Sequence, residues 1–337
     1  MNHSIVGNET ESRNMSRETF RAGDQVMVCS AEEILSTLDT DGTLDGLPFM
    51  PEMLDWCGKP SRVMRRVEKT CVEVTSPAYP NRRFAKNDVV VLEGPRCDGQ
   101  GHDGCKRGCR FYWKEGWLRP AHGADTSARS TEAGLAGLRA RLKVKADEQR
   151  YFCQSTELLK ATEAFPGMKK PWLARIALRE IRNGDRSAPE MAKKFVRACW
   201  QRLRRTTAGD RLLRGPGKRT PTATLDLKPG EIVRVKRRAQ LIETLDPNRR
   251  NRGMVICDEM TRCCGEEAEV RYRVDRIIHE STGKMVKLQN TVMLKNLRGN
   301  PSLCEECLCH DEMGDCPRGE LMYWREIWLE RVKDGAS

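Results

Sequence analysis

The sequence predicts a multidomain α+β protein in which two small, mostly antiparallel, SH3-like β-barrel modules are separated by a basic α-helical domain. Three observations predict this class: a repeat at the two ends of the chain, alternating β patterns within each copy, and helical periodicity between them. With 337 residues, 38% hydrophobic and 32% charged, the chain is long enough for several domains but polar for one large core. We assign 1–20 to a disordered leader, 21–122 to module 1, 126–212 to the helical domain, 213–229 to a linker and 230–332 to module 2.

The internal repeat is the strongest signal in the sequence. Residues 23–67 align with 230–274 without a gap, and 14 of the 45 positions are identical. The segment CKRGCRFYWKEGWL, at 105–118, returns as CPRGELMYWREIWL at 316–329 with 8 of 14 positions identical. Only the loop between the two matching blocks has changed length, so we expect both copies to share one fold.

Each copy has the pattern of a small antiparallel barrel. Both open on Gly-acid-x-Val-x-Val (GDQVMV and GEIVRV), an alternation typical of a half-buried strand that follows a turn. AEEILSTLD and AQLIETLD then predict a short helix in each copy. Further strands are predicted at 62–67, 88–92, 269–274 and 291–294. Short strands with glycine-rich turns favour a small, mostly antiparallel barrel, and the Gly-acid-x-Val-x-Val opening is similar to that of SH3-like and KOW-type barrels.

The middle of the chain has a different character. Residues 130–165 alternate Leu and Ala with charges at helical spacing, and Ser187 to Glu190 forms a capping-box sequence. Between Lys169 and Arg219 stand sixteen Lys and Arg but only four Asp and Glu, a surplus equal to the net charge of the whole chain, +12. Such a surplus favours salt-dependent binding of nucleic acid or another polyanion, and the alternative is a solvated helical face. A partner protein is the other possible ligand of this region.

The cellular location bears on how the fifteen cysteines are interpreted. The first twenty residues contain no apolar signal-peptide core, and no run of eighteen apolar residues predicts a membrane helix. We therefore expect a cytoplasmic protein without a membrane partner. Because disulfides are rare in a reducing compartment, clustered cysteines there favour metal binding or redox chemistry.

Two cysteine clusters, one in each copy, are candidate metal sites. Zinc prefers four thiolate or imidazole ligands, and such a site can stabilise a module whose own core is small. The predicted ligands are Cys57, Cys97, Cys105 and Cys109 in module 1, and Cys264, Cys304, Cys307 and Cys316 in module 2, with Cys71 and Cys309 in reserve. An iron–sulfur cluster is the alternative metal site, and buried free thiols are the alternative without metal.

The repeated aromatic residues have two interpretations. Trp113 and Trp117 return as Trp324 and Trp328, and they either stack on bases or close the core of each module. We favour the core, because both members of the pair recur in both copies. Isolated cysteines such as Cys153 are interpreted as buried residues of the core.

Several motifs together resemble a known family. FMPEMLDWCGKPSRVMRRVEKTC, RCDGQGHDGCKRGC and YWKEGWL resemble a family of uncharacterised bacterial cysteine-rich proteins over 23–120 and 230–332. The family carries two copies of a PEML…CG, C…CxRG and YWxExWL module, and it implies a cytoplasmic bacterial protein whose gene lies in a polysaccharide or secondary-metabolite cluster. Asn290-Thr-Val292 stands where the second copy of the family has Asn-Pro-Cys, and we expect the extra Cys307 and Cys309 to replace the missing thiolate.

The sequence carries little sign of catalysis, since it contains no GxSxG, P-loop, HExxH or kinase motif. We therefore expect a non-enzymatic, metal-stabilised binding protein that binds nucleic acid or another polyanion through its basic middle. The alternative, which the resemblance implies, is an accessory protein or a metal- or cysteine-dependent enzyme of a bacterial biosynthetic pathway.

Overall fold

The structure is a computed structural model that describes residues 19–72, 81–121, 129–164, 170–193, 195–196, 214–217, 219–296 and 317–332. The helices are α1 (Ala31–Thr37), α2 (Glu132–Arg141), α3 (Gln154–Ala161), α4 (Lys170–Arg182), α5 (Arg238–Glu243) and α6 (Asp258–Arg262), and 188–193 are also helical. Short 3-10 helices span Pro51–Trp56, Gln100–His102, Glu115–Trp117 and Glu326–Trp328. None of the described helices is both long and apolar enough to cross a membrane.

The strands are short and pair in antiparallel sheets. They are β1 (Gln25–Val28), β2 (Thr43–Leu44), β3 (Leu47–Pro48), β4 (Pro60–Arg66), β5 (Thr70–Cys71), β6 (Asn81–Arg83), β7 (Val89–Leu92), β8 (Trp113–Lys114), β9 (Leu118–Pro120), β10 (Glu163–Ala164), β11 (Ile232–Val235), β12 (Arg250–Asn251), β13 (Met254–Val255), β14 (Glu267–Arg273), β15 (Arg276–Ile278), β16 (Met285–Lys287), β17 (Thr291–Asn296), β18 (Tyr323–Arg325) and β19 (Leu329–Arg331). The strands predicted at 62–67, 88–92, 269–274 and 291–294 are confirmed as β4, β7, β14 and β17, with ends shifted by at most two residues.

The two modules have the same sheet. In module 1 the strand order is β8-β7-β4-β1-β9, and in module 2 it is β18-β17-β14-β11-β19, so corresponding strands occupy corresponding places. The pairing register of β4 with β7 shifts between Val63 and Arg65, and that of β14 with β17 shifts at the equivalent place, between Val270 and Tyr272. The repeat in the sequence is therefore a repeat of structure, down to an equivalent irregularity in one strand.

The predicted class is confirmed only at its coarser level, because the protein is a mixed α+β structure with several antiparallel sheets. Within the described residues, β8 and β9 at the two edges of the first sheet do not pair, and neither do β18 and β19. A closed SH3-like barrel is therefore not found, and that finer assignment stays a prediction.

The repeated tryptophans belong to the two cores. Trp113, Trp117, Trp324 and Trp328 are each 0% exposed, which confirms that they pack inside the modules. The indole nitrogen of Trp117 donates to Thr37 Oγ1 at 3.1 Å, and that of Trp328 donates to the equivalent Thr244 at 3.0 Å. The repeated Thr-Leu-Asp motif thus supplies the partner that a buried indole N–H requires.

The repeated glutamate of YWxExWL has a matching role in each module. Glu115 pairs with buried Arg66 on β4 and accepts a hydrogen bond from Phe20 N at 2.9 Å. Glu326, 0% exposed, pairs with the equivalent Arg273 on β14 and accepts from the amides of residues 225–227. Each glutamate therefore connects the segment that precedes the first strand of its module, β1 or β11, to an arginine on β4 or β14.

A separate basic helical domain is not confirmed. Helix α2 packs on α1, and α3 packs on β3, so Leu138 and Leu158 are buried in the core of module 1. The far end of α4 is tied to the same module, since Asn183 O accepts from Ala22 N at 3.2 Å. The apolar faces of α2 and α3 therefore pack against module 1. Residues 197–213, the most basic part of the predicted domain, lie outside the described residues, as does nearly all of the predicted leader.

The predicted flexible linker instead packs against module 2. Leu227 is 0% exposed within its core, and Leu225 packs against it. Gly215 N also donates to Asp246 O at 3.0 Å. Leu225 and Leu227 give this stretch an apolar surface to bury, whereas its Gly, Pro and Thr content predicted a flexible linker.

Candidate functional site

The two CxRG segments meet at the junction of the modules. Arg107 Nη1 donates to Ile278 O at 3.2 Å, and the equivalent Arg318 Nη1 donates to Cys71 O at 2.9 Å. Ile278 and Cys71 are themselves equivalent positions of the repeat. The contacts are therefore reciprocal, as they are across the two-fold axis of a symmetric dimer.

Two glutamates complete a cluster with these arginines, which we call the junction cluster: Arg107, Arg318 and Glu280 are buried, and Glu320 is half-buried. Glu280 pairs with Arg107 at 3.1 Å and with Arg318, and it also accepts from Ser155 Oγ at 3.1 Å. Glu320 lies 2.6 Å from each guanidinium. Burial alone would raise the pKa of Glu320, but the two arginine charges lower it to about 2. Glu320 is therefore ionised, and the cluster joins module 1, module 2 and α3.

The glycine of CxRG lets the modules approach closely. Gly108 has a φ of 66°, and a Cβ atom there would lie 2.8 Å from Tyr272 Oη of module 2. Arg96 Nη1 donates to the carbonyls of Gly108 and the equivalent Gly319, at 2.7 and 3.0 Å. The repeated Arg-Gly pair is therefore part of the contact between the two copies.

Four cysteines line one small cavity of about 30 Å³ next to the junction cluster. Three of them were predicted as ligands, namely Cys97, Cys105 and Cys109, and the fourth is Cys153, which precedes α3. Cys97 N donates to Cys109 O at 2.8 Å, so the two cysteines lie opposite each other on neighbouring backbone segments. Ile278 N donates to Cys105 Sγ at 3.3 Å, which brings module 2 into the same wall. We call this space the thiol cavity.

Burial governs the ionisation of these thiols. It raises the pKa of Cys97 and Cys153 above the ordinary value, and it raises that of Cys109 to about 12. Without a bound cation, the three groups are therefore neutral near pH 7. A neutral buried thiol is a poor nucleophile, so the arrangement gives no support to cysteine-based catalysis.

The cavity has enough cysteines for a metal site, but their sulfur atoms do not converge on one point. Four thiols are a ligand set that both zinc and iron–sulfur clusters accept. Within the part of the chain that the structure describes, no group of three or more His, Cys, Asp or Glu side chains is arranged to hold a metal ion. Metal binding would therefore require the thiols to turn toward a common centre.

The other predicted ligands that the structure describes do not line this cavity. Cys57 ends the Pro51–Trp56 helix, does not line the cavity, and has its pKa raised to about 12, chiefly by burial. The reserve Cys71 ends β5, and Cys264 follows α6 in module 2. The remaining candidates, Cys304, Cys307, Cys309 and Cys316, lie outside the described residues. The sequence did not single out Cys153, because no spacing motif links it to the distant CxRG segment.

His102 also borders the cavity, but both of its ring nitrogens are engaged. Nδ1 lies 2.7 Å from Glu52 Oε1, and Nε2 lies 3.1 Å from Phe152 O. Both partners accept hydrogen bonds, so both nitrogens donate and the ring is an imidazolium. Burial alone would lower the pKa of His102, but the hydrogen bond and charge of Glu52 raise it overall. In this state His102 is not a metal ligand.

The buried His102–Glu52 pair predicts a pH dependence of stability. The raised pKa of His102 gives a contribution that is complete below 6.5 and is lost as pH rises through the folded-state value. The pKa of Glu52 is lowered despite burial, so its contribution is present above 4.5 and is lost as pH falls further. Urea unfolding of wild type and His102→Gln across pH should therefore differ most between 4.5 and 6.5. A difference that stays constant up to pH 9 would contradict this assignment.

Comparison with known proteins adds no relative from which a role could be transferred. No family model, curated protein or solved structure matches the chain. The resemblance to a bacterial cysteine-rich family therefore stays a prediction, and so does the cytoplasmic location.

Proposed function

We propose that the protein is a non-enzymatic, metal-stabilised binding protein whose thiol cavity holds one zinc ion through Cys97, Cys105, Cys109 and Cys153. A single observation carries the proposal: three cysteines of one stretch, 97–109, and the distant Cys153 line one cavity where the two modules and α3 meet. This set differs from the sequence prediction in one ligand, since Cys153 takes the place of Cys57.

The energetics support a structural role for the metal. The four thiols contribute little as small apolar groups, but as thiolates they would bind zinc with a free energy that adds to the free energy of folding. The bound ion would connect the CxRG loop, the neighbouring segment at Cys97 and the start of α3. An iron–sulfur cluster is the alternative occupant of the same ligands.

The SH3-like assignment of each module belongs to this proposal. The strand order, with the last strand beside the first and a 3-10 helix between the last two, supports it. Small barrels of this kind often serve as binding modules, and their function depends on the site rather than the fold.

The polyanion-binding part of the proposal rests on the charge of residues 169–219. In the described portion, Arg175 and Arg182 on α4 are exposed, whereas Arg179 approaches Glu68 of module 1 at 3.5 Å. We expect a gel-shift titration at low ionic strength to show binding of DNA or RNA that weakens steeply with salt. Absence of any shift at low salt would exclude nucleic acid as the ligand.

Elemental analysis of the purified protein tests the metal site. We expect Cys153→Ser to lose one metal ion per chain relative to wild type, because it removes one of the four proposed ligands. Cys57→Ser is the matched control and should keep the wild-type metal content. Loss of metal from Cys57→Ser alone, or a wild-type protein without metal, would contradict the proposed site. Iron with visible absorbance in place of zinc would favour the redox or enzymatic alternative.

A further inference from the structure

A second, more open space lies on the other side of the CxRG loop. It is a cleft of about 320 Å³ between this loop and the β14 strand of module 2. We call it the junction cleft, and it is lined by Arg96, Cys97, Asp98, Cys105, Lys106, Gly108, Arg271, Tyr272 and Leu321. Its volume is within the range of small-molecule binding sites, about 300–1,000 Å³.

Positive charge dominates the lining of the cleft. The lining contains three cationic side chains, Arg96, Lys106 and Arg271, and one carboxylate, that of Asp98. The guanidinium of Arg96 is held in place by the carbonyls of Gly108 and Gly319, so it needs little ordering to receive a ligand. Lys106 pairs at 3.2 Å with Asp275, and about half of each side chain is exposed.

Arg271 is the cation best placed to bind a ligand. Its side chain is exposed, and it makes no hydrogen bond or ion pair to another residue that the structure describes. Next to it, the half-buried ring of Tyr272 and the buried Leu321 provide an apolar wall. A fixed guanidinium, a free guanidinium and a flat apolar surface together suit an anion attached to a ring.

We propose that the junction cleft binds a small organic oxyanion, a carboxylate or phosphate ester, with its charge between Arg96 and Arg271 and its apolar part against Tyr272 and Leu321. Both modules contribute to the site, so neither copy of the repeat forms it alone. The module 1 residue equivalent to Arg271 is Met64, which explains why the reciprocal contacts do not generate a second identical cleft. The proposal goes beyond the metal site and does not require metal.

The cleft and the thiol cavity share a wall. Cys97 and Cys105 line both spaces. A ligand in the cleft therefore lies next to the segment that carries two of the proposed metal ligands. The two sites are neighbours, but binding in the cleft rests on Arg96 and Arg271 and does not depend on metal in the thiol cavity.

Calorimetric titration of the full chain with phenyl phosphate, benzoate and inorganic phosphate tests the proposal. We expect at least one of the two aromatic anions to bind at low ionic strength, and to bind more tightly than inorganic phosphate. Whether phenyl phosphate or benzoate binds better distinguishes the two oxyanion classes. Arg271→Ala should weaken the binding about tenfold, as expected for one charge-assisted hydrogen bond.

The control is Arg262→Ala, which removes the same charge from the exposed end of α6. It should leave the affinity within about twofold of wild type, because Arg262 does not line the cleft and exposed charges are screened by salt. Equal weakening by the two substitutions, or no binding of either aromatic anion, would overturn the proposal. Each titration is repeated after metal removal, and unchanged affinity there separates the cleft from the zinc site.

Discussion

Glu280→Ala should destabilise the protein by about 3–5 kcal/mol, the usual cost of removing one member of a buried ion pair. Glu280 is buried and pairs with both Arg107 and Arg318. Without it, two buried guanidinium groups share the single carboxylate of Glu320 and Ser155 loses an acceptor. The loss is large because the two arginine charges are buried, so water does not replace the carboxylate that is removed.

The same substitution should also weaken the coupling between the modules. Arg107 belongs to module 1 and Arg318 to module 2, and Glu280 bridges them directly. In urea unfolding followed by tryptophan fluorescence, we expect a lower midpoint and a smaller apparent m value, since the modules would unfold less cooperatively. Glu267→Ala, at an exposed ion pair with Arg234, is the control and should cost at most about 1 kcal/mol. Equal effects of the two substitutions would show that the junction cluster contributes no more than a surface pair.

Glu326→Ala should cost a similar amount, about 3–5 kcal/mol, for a different reason. The carboxylate of Glu326 is 0% exposed and accepts from the amides of Leu225, Asp226 and Leu227 at 2.6, 3.1 and 3.1 Å. It also pairs with Arg273 at 2.5 Å. Alanine removes the acceptor of the three amides and leaves the Arg273 guanidinium with Leu227 O, so we expect the segment before β11 to be held less tightly on module 2.

Amide hydrogen exchange and urea unfolding measure this effect. We expect faster exchange at residues 225–227 together with the loss of stability. Glu330→Ala, four residues further on and 43% exposed, is the matched control and should leave both nearly unchanged. Unchanged exchange at 225–227 in Glu326→Ala would contradict the role assigned to the repeated glutamate.

The local elements could be predicted from the sequence, because they depend on patterns that adjacent residues create. Alternating Val26 and Val28 predicted β1, and both side chains are buried in the core. The repeat predicted that module 2 would contain the same elements, and the strand orders agree. The sequence predicted helices in the middle of the chain, but it did not predict that α2 and α3 pack on module 1. Periodicity shows that a helix has an apolar face but not which surface covers that face.

The candidate site was predictable only in part. Cys97, Cys105 and Cys109 lie in one motif-rich stretch, which drew attention to them. Cys153 and Glu280 stand in unremarkable contexts, and their importance comes from long-range contacts to the CxRG segments. The Arg-Gly of each segment was recognised as repeated, yet its role at the junction required knowing that the two copies face each other.

The sequence by itself determined that the chain contains two copies of one β module, each with a tryptophan pair, a glutamate and an arginine in equivalent places. Alternation and capping depend on neighbouring residues, and the repeat is found by comparing the chain with itself, so a single sequence is enough to detect all three. Only the tertiary structure decided that α2 and α3 belong to module 1, that Arg107 and Arg318 share Glu280, and that Cys153 joins the thiol cavity. These outcomes depend on which buried charges and apolar faces contact one another between distant parts of the chain, and the spacing of residues in the sequence does not determine those contacts.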